Sequence, residues 1–206
     1  VMESDDWGSI RMPSKLIFDT FVKKGYSIEN SLYNRYDSLA SEEDLNFLFE
    51  TLSAFNDING NPLKITANTI VANPDFEKIR SSGYRDYFYE PFTVTLEKYP
   101  EHNGAFKIWQ KGIGEKLFTP QFHGREHLNI QLWMQALQEN ENNTIRETFE
   151  YGTTYSGKLD YNFMEAFDNT PDEIKIQHII LKEGLQLFQK IFGFKSKSFI
   201  APCYVW

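Results

Sequence analysis

The chain has 206 residues, 41% of them hydrophobic and 24% charged, so it can bury a core, and we expect a single domain over residues 1–206. The formal net charge is −8 and no basic stretch occurs, which excludes nucleic acid as a partner because phosphate binding needs clustered Lys and Arg. No apolar run reaches the roughly 18 residues of a membrane span.

The cysteine content bears on the compartment. Cys203 is the single cysteine, so an intrachain disulfide is impossible, and we expect a small buried residue rather than a nucleophile. This and the lack of a signal-peptide pattern favour a reducing compartment such as the cytoplasm. Both ends of the chain fall within predicted strands, so we expect both ends to be trimmed. The missing signal-peptide pattern then does not determine the compartment.

Strand and helix patterns alternate along the chain. Apolar residues at three- and four-residue steps predict helices, and β-branched or aromatic runs predict strands. The predicted strands are the chain start, 63–72, 117–123 and 195–206, while 84–96 is a strand or an aromatic loop. The predicted helices are 13–25, 41–55, 73–83, 105–116, 125–138 and 171–193, the starts being marked by Pro13, Ser41, Asn73 and Pro171. No element is predicted for 139–163. Helices between strands indicate βα units and a mainly parallel sheet or barrel.

The segment QFHGREHLNI suggests a metal site. On a helix, His123 and His127 would face the same side with their Cβ atoms about 5–6 Å apart. Their ring nitrogens could then bind one divalent ion at roughly 2.0–2.1 Å, with Asp6 as a third ligand. Two imidazoles and one carboxylate suit zinc, and also non-haem iron. The alternative is a pair of histidines on a helix face with no metal.

The same segment fits a second motif. H-x-x-E-H, with Glu126 as general base, is the inverted zincin pattern of metallopeptidases. Gly124 and the strand-like residues before His123 favour a junction between strand and helix over a helix interior. The motif also leaves Asp5 and Asp6 without a role. Both points count against the peptidase interpretation, which is kept as the less favoured alternative.

Three short motifs in chain order resemble those of the polysaccharide deacetylases (carbohydrate esterase family 4). SDDWG at 4–8 resembles T-F-D-D-G, HGREH at 123–127 has the spacing of H-[ST]-x-x-H, and FIAPCY at 199–204 resembles R-x-P-Y. The segments ESDDWGSIRMPS and PQFHGREHLN are very similar to those of a bacterial subgroup of that family. The motifs span almost the whole chain, and by them it is identified as a member.

The resemblance implies an α/β fold, an irregular (β/α) barrel that is incomplete at the C-terminus of this chain. It implies Asp5 as the catalytic base and Asp6, His123 and His127 as ligands of a divalent metal, most simply zinc. The implied reaction is hydrolysis of an N- or O-acetyl group on an oligo- or polysaccharide by metal-activated water. A catalytically inactive carbohydrate-binding barrel is the alternative from another class.

The chain departs from the family pattern in two places. The arginine of the third motif falls at Ile200, so the usual partner of the base is absent, and Arg11 or Arg125 could substitute for it. The later motifs, with the histidine that acts as general acid, would lie beyond Trp206.

Four further residues are candidates for substrate binding. Trp7 follows the carboxylates and could stack on a sugar, or it could equally end the strand in the core. Asn68 could hydrogen-bond a ligand near the end of the second strand. Tyr89 belongs to an aromatic cluster over 84–92 that could line a saccharide groove or serve packing. Arg125 lies between the two histidines of the motif.

Overall fold

A parallel sheet of three strands organises the fold. The computed structural model describes residues 2–139, 143–156, 163–167 and 171–205. The strands are β1 (Met2–Trp7), β2 (Ile65–Ile70), β3 (Ala72–Pro74), β4 (Tyr89–Pro91) and β5 (Phe118–Gly124). The parallel sheet has the order β1-β2-β5, and β3 pairs with β4 in a separate antiparallel ribbon. The predicted α/β organisation with a parallel sheet is confirmed.

Helices fill the connections between the strands. They are α1 (Lys15–Lys23), α2 (Leu32–Tyr36), α3 (Glu42–Ala54), α4 (Phe76–Ser81), α5 (Phe92–Lys98), α6 (Ala105–Gly114), α7 (Ile130–Gln138), α8 (Asn143–Phe149) and α9 (Pro171–Phe192). The sequence did not predict α5 or α8. No helix in the described ranges combines the length and apolarity that a membrane crossing needs.

The predicted last strand, 195–206, is wrong. In its described part, a single parallel bridge joins Phe199 to Phe122 of β5, and a short 3-10 turn follows at Pro202–Tyr204. Pro202 cannot donate to a ladder, and Cys203 and Tyr204 have φ angles of +54° and +56°, which no strand adopts. Within the described ranges the sheet therefore stays open, and no closed barrel forms.

Capping side chains determine where the first helices begin. The Ser41 hydroxyl accepts from the amide of Asp44, whose carboxylate accepts from the amide of Ser41, so the predicted cap of α3 is confirmed as a capping box. At α1 the cap is Ser14, which accepts from the amide of Ile17. Pro13 therefore precedes the cap and does not occupy the first helical position.

Asn73 is not a helix cap, contrary to the sequence prediction. The cap of α4 is Asp75, and Asn73 lies in β3 with 3% of its surface exposed. Its side chain accepts from the amide of Ile10 at 2.9 Å and donates to the carbonyl of Gly8 at 2.9 Å. Asn73 therefore ties the turn that follows β1 to the adjacent β3–β4 ribbon.

The helix predicted over 125–138 begins five residues late. Asn129 caps α7 by accepting from the amide of Leu132, so the helix starts at Ile130. His127 consequently lies in the loop between β5 and α7, while His123 lies in β5 itself. The prediction that both imidazoles share one helix face is wrong.

The largest core cluster packs α3, α5 and α6 against the sheet. Trp109 and Phe118 are its central rings, 4.9 Å apart in an edge-to-face arrangement. Trp7 packs against both, with ring centroids 5.8 Å from Trp109 and 4.8 Å from Phe118. Phe122 of β5 meets Phe188 of α9 in a second cluster. The sheet that carries the candidate site is thus packed by aromatic side chains.

Gly8 sets the path by which the chain leaves β1. Its φ is +84°, and a Cβ atom there would lie 2.5 Å from the carbonyl oxygen of Ile70. Gly25 is a matched control, because its φ is +81° and nothing lies within 4 Å of its Cβ position. We expect Gly25→Ala to cost about 1 kcal/mol of unfolding free energy and Gly8→Ala about 2 kcal/mol more, measured by urea denaturation. Equal losses would mean that the contact with Ile70 is unimportant.

Candidate metal centre

A β-bulge turns two adjacent carboxylates toward one cavity. Ser4 pairs with Ala67 and Trp7 pairs with Thr69, so Asp5 and Asp6 together stand opposite a single β2 residue. Neighbouring strand residues ordinarily point to opposite faces. The extra residue, with a φ of +65° at Asp6, breaks this alternation, and both carboxylates line the same cavity.

Asp6, His123 and His127 converge within this cavity. Oδ1 of Asp6 lies 3.2 Å from Nε2 of His123 and 3.0 Å from Nε2 of His127. One ligand atom from each of the three residues lies within 4.8 Å of the others. The histidine side chains are 2% and 4% exposed, and that of Asp6 is 23% exposed. The two imidazoles are thus buried, and the carboxylate of Asp6 is partly exposed toward the cavity.

These three residues fit a divalent cation. Two ligand atoms bound at 2.0–2.1 Å in tetrahedral geometry are roughly 3.3 Å apart, close to the separations between Asp6 and the two rings. Nδ1 of His123 lies 2.8 Å from the carbonyl oxygen of Ile200, so Nδ1 carries the proton and Nε2 keeps a lone pair for a ligand bond. Nδ1 of His127 has no partner among the described residues. The group could therefore hold a metal ion.

Arg11 contacts the second carboxylate oxygen of Asp6. Its Nη2 donates to Oδ2 of Asp6 at 3.0 Å, and its Nε lies 3.3 Å from Oδ2 of Asp37. Of the two arginines considered as substitutes for the family arginine, Arg11 is the one in this site, and it contacts Asp6 rather than Asp5.

The surroundings of Asp6 keep it ionised. Burial alone would raise the pKa of Asp6, but the polar contacts of its carboxylate with the rings of His123 and His127, and the positive charge of Arg11, outweigh burial and hold the pKa far below its usual value. An ionised carboxylate is the form that a metal ligand requires.

Asp5 lies beside the cluster and is held by two side chains. Oδ1 accepts from Nδ2 of Asn68 at 2.7 Å, and Oδ2 lies 3.4 Å from the hydroxyl of Tyr204. The negative charge of Asp5 is the largest cause of a raised pKa at Tyr204, so this hydroxyl stays protonated and can donate.

The cavity has the size of a small-molecule site. Its volume is about 410 Å³, within the usual range for ligand pockets. Apart from Asp5, Asp6, Arg11 and the two histidines, the described lining side chains are uncharged: Ser31, Tyr33, Asn34, Thr154, Tyr155, Ser156, Phe163, Met164, Cys203 and Tyr204. Around the charged cluster, the described lining is therefore a mixture of hydroxyl, amide, aromatic and sulfur-containing side chains.

The structure bears on the two alternatives left open for Trp7 and corrects the prediction for Cys203. Trp7 packs its ring in the core cluster, so the structure favours the packing alternative over stacking on a sugar. Cys203 is exposed and lines the cavity, which corrects the prediction of a buried residue. Desolvation is the main cause of a raised pKa at the Cys203 thiol, and the charge of Asp6 adds to it, so the thiol is protonated and a poor nucleophile.

Tyr89 and Arg125 belong to a separate cluster next to β5. The Arg125 guanidinium lies 4.1 Å from the centre of the Tyr89 ring. Its Nε donates to Glu126 at 2.8 Å, and its Nη1 binds Glu183 of α9. Neither Tyr89 nor Arg125 is among the described residues that line the cavity with Asp6.

Some partners of the site escaped the sequence analysis. Asp37, the Ile200 carbonyl and the Tyr204 hydroxyl reach it from distant segments, and nothing in their local sequence indicates this. The role of Asn68 toward Asp5 had a signal, because an asparagine within the apolar strand ITANTIVA must find a hydrogen-bond partner when buried.

Comparison of the chain with protein-family models, curated proteins and solved structures finds no match.

Proposed function

We propose that this protein is a metal-dependent hydrolase that removes acetyl groups from an oligo- or polysaccharide, in the manner of the polysaccharide deacetylases. One observation carries the proposal: Asp6, His123 and His127 converge with Asp5 beside them at a single cavity. These side chains come from the carboxyl ends of parallel strands and from the loop that follows, where α/β folds collect their catalytic groups.

The metal in this proposal is zinc. Oδ1 of Asp6 and the Nε2 atoms of His123 and His127 would hold it, a donor set that zinc accepts and that leaves a position open toward the cavity. When bound, such an ion lowers the pKa of a water molecule and polarises a carbonyl group.

Asp5 is the general base in this proposal. Hydrolysis adds the water oxygen to the acetyl carbon and breaks the bond from that carbon to the sugar oxygen or nitrogen. The leaving oxygen or nitrogen takes up the proton that Asp5 has received from the water, so the products are acetate and a free sugar hydroxyl or amine. Asp5 accepts the proton that the water loses, and Asn68 holds Asp5 at one oxygen while the other faces Tyr204. Of the two carboxylates that line the cavity, Asp6 would bind the ion and pairs with Arg11, so Asp5 is the one available for this role.

The finer fold assignment is part of the same proposal. An irregular (β/α) barrel, with residues 1–206 as one domain, accounts for the parallel order β1-β2-β5 and for the helices between these strands. The parallel bridge between Phe122 and Phe199 is where a further strand would continue the ladder beyond β5.

A catalytically inactive carbohydrate-binding protein is the second candidate. The observation in its favour is that Ile200 stands at the position of the family arginine, with its backbone carbonyl bound to His123. Tyr33 and Tyr204 line the cavity and are 62% and 72% exposed, so both rings are open to a sugar. The metallopeptidase has less support, since Glu126 is 3% exposed and its carboxylate binds Arg125.

Zinc removal and acetate release distinguish these candidates. The protein is loaded with zinc, stripped with 1,10-phenanthroline and reloaded, and free acetate is measured with N-acetylated and O-acetylated oligosaccharides. The deacetylase proposal expects acetate release that stops on stripping and returns on reloading. Saccharide binding without acetate release in any state would support the inactive binding protein, and zinc-dependent peptide cleavage would support the peptidase.

A further inference from the structure

Asn68 occupies a special place relative to the two carboxylates. It is the single β2 residue opposite the bulge, between the pairs formed by Ser4 with Ala67 and by Trp7 with Thr69. On its other side it pairs with Gln121 of β5, so its backbone is held by strands on both edges. Asn68 is 1% exposed. Its side chain therefore has a fixed origin and no access to bulk water.

The contact between Asn68 and Asp5 has a defined direction. An ionised carboxylate can only accept, so the group that Asn68 turns to Oδ1 of Asp5 at 2.7 Å is its NH₂. Hydrogen bonds to ionised groups are stronger than those between neutral groups. The second contact on Asp5 comes from Tyr204, whose ring is 72% exposed and whose hydroxyl is 3.4 Å away, so it constrains the carboxylate less.

No cation in the described part of the chain forms an ion pair with Asp5. Arg11 binds Asp6 and Asp37, and Arg125 binds Glu126 and Glu183. A neutral amide can orient a carboxylate without supplying a countercharge. Asn68 would therefore fix the direction of the Asp5 carboxylate and leave it without a paired cation, which is the arrangement that a proton acceptor in this position needs.

We infer that Asn68 is the positioning residue of Asp5, taking the place left open by Ile200, rather than a substrate-binding residue as its sequence position suggested. The inference rests on the proposed function, because it assigns Asn68 to the base of that reaction. Asn68 acts through Asp5, so its effect should vanish when Asp5 can no longer accept a proton.

The test is a double-mutant cycle on acetate release. Asn68→Leu keeps the number and branching of the side-chain heavy atoms and removes the donor, and Asn68→Ala serves as a second variant should the larger leucine disturb packing. In the zinc-loaded protein we expect either variant to lower kcat by about 10- to 100-fold, with KM changed by less than about two-fold. Thr66→Val, two residues earlier on the same face of β2, is the control and should leave kcat unchanged.

Asp5→Asn supplies the second background. There, Asn68→Leu should change the residual kcat by less than about two-fold, whereas a general structural role would cause the same fractional loss in both backgrounds. Zinc affinity, measured by competition with a chromophoric chelator, should be the same for wild type and Asn68→Leu.

Different results would overturn the proposed function and the positioning role of Asn68. A wild-type protein that binds zinc and releases no acetate would overturn the proposed function, and the positioning role with it. An active wild type whose kcat survives both Asn68 substitutions would overturn the positioning role alone. A loss of kcat accompanied by a loss of zinc affinity would also overturn it, because Asn68 would then act through the metal ligands.

Discussion

Acetate release by the zinc-loaded protein should fall by about 10²- to 10⁴-fold when Asp5 is replaced by asparagine, the range that a general base contributes. Asparagine has the shape of aspartate, and its Oδ1 can still accept from Asn68, so the substitution removes basicity and little else. The measurement is kcat on an acetylated oligosaccharide, with zinc content determined for the same preparation. Zinc binding should persist, because Asp5 is not one of the three converging ligands.

Asp19→Asn is the matched control for this experiment. Asp19 pairs with Lys15 on the surface of α1, and its side chain is 44% exposed, so its loss should not alter turnover. Glu126→Gln distinguishes the deacetylase from the peptidase alternative, since the peptidase requires Glu126 and does not require Asp5. Near-normal turnover by Asp5→Asn would refute the assigned base.

Zinc affinity should fall by more than about 100-fold when His127 is replaced by alanine. Loss of an outer hydrogen-bond partner of a metal ligand already costs about 10- to 100-fold, and His127 would contribute a direct bond. His127→Gln, which retains much of the side-chain volume, should show a similar loss if alanine disturbs this buried position. Competition with a chromophoric chelator measures the dissociation constant without any need for activity.

His178→Ala serves as the control for the metal experiment. His178 is exposed on α9, and its removal should leave zinc affinity unchanged. If His127→Ala binds zinc as tightly as the wild type, the convergence of Asp6, His123 and His127 is a hydrogen-bonded cluster and not a metal centre.

Local signals were sufficient for the elements whose ends are marked in the sequence. Ser41 predicted the start of α3 because a hydroxyl followed three residues later by a carboxylate closes a capping box. The apolar run of β2 and the long pattern of α9 were also readable from the sequence. The predicted start of α7 was wrong, because the helical pattern extends back to Arg125 but the side chain of Asn129 caps the helix and begins it at Ile130.

The three candidate metal ligands could be proposed from the sequence, but the geometry that brings them together could not. His123 and His127 meet Asp6 from a strand and a loop, not from one helix, so the helical spacing argument reached the right residues for the wrong reason. The shared direction of Asp5 and Asp6 depends on the pairing register of β1 with β2, a long-range property that neither strand encodes alone. For the same reason Asn68 could be suspected of a partner but not assigned one.

The converging ligands belong to β1 and to β5 with its following loop, while β2 lies between these strands and contributes none. A cation bound there would cross-link the two outer strands of this sheet, because it would join Asp6 of β1 to histidines more than a hundred positions later in and after β5. Because an ion that binds the folded state alone stabilises that state, its loss would weaken the pairing of the outer strands as well as remove the proposed reactive centre.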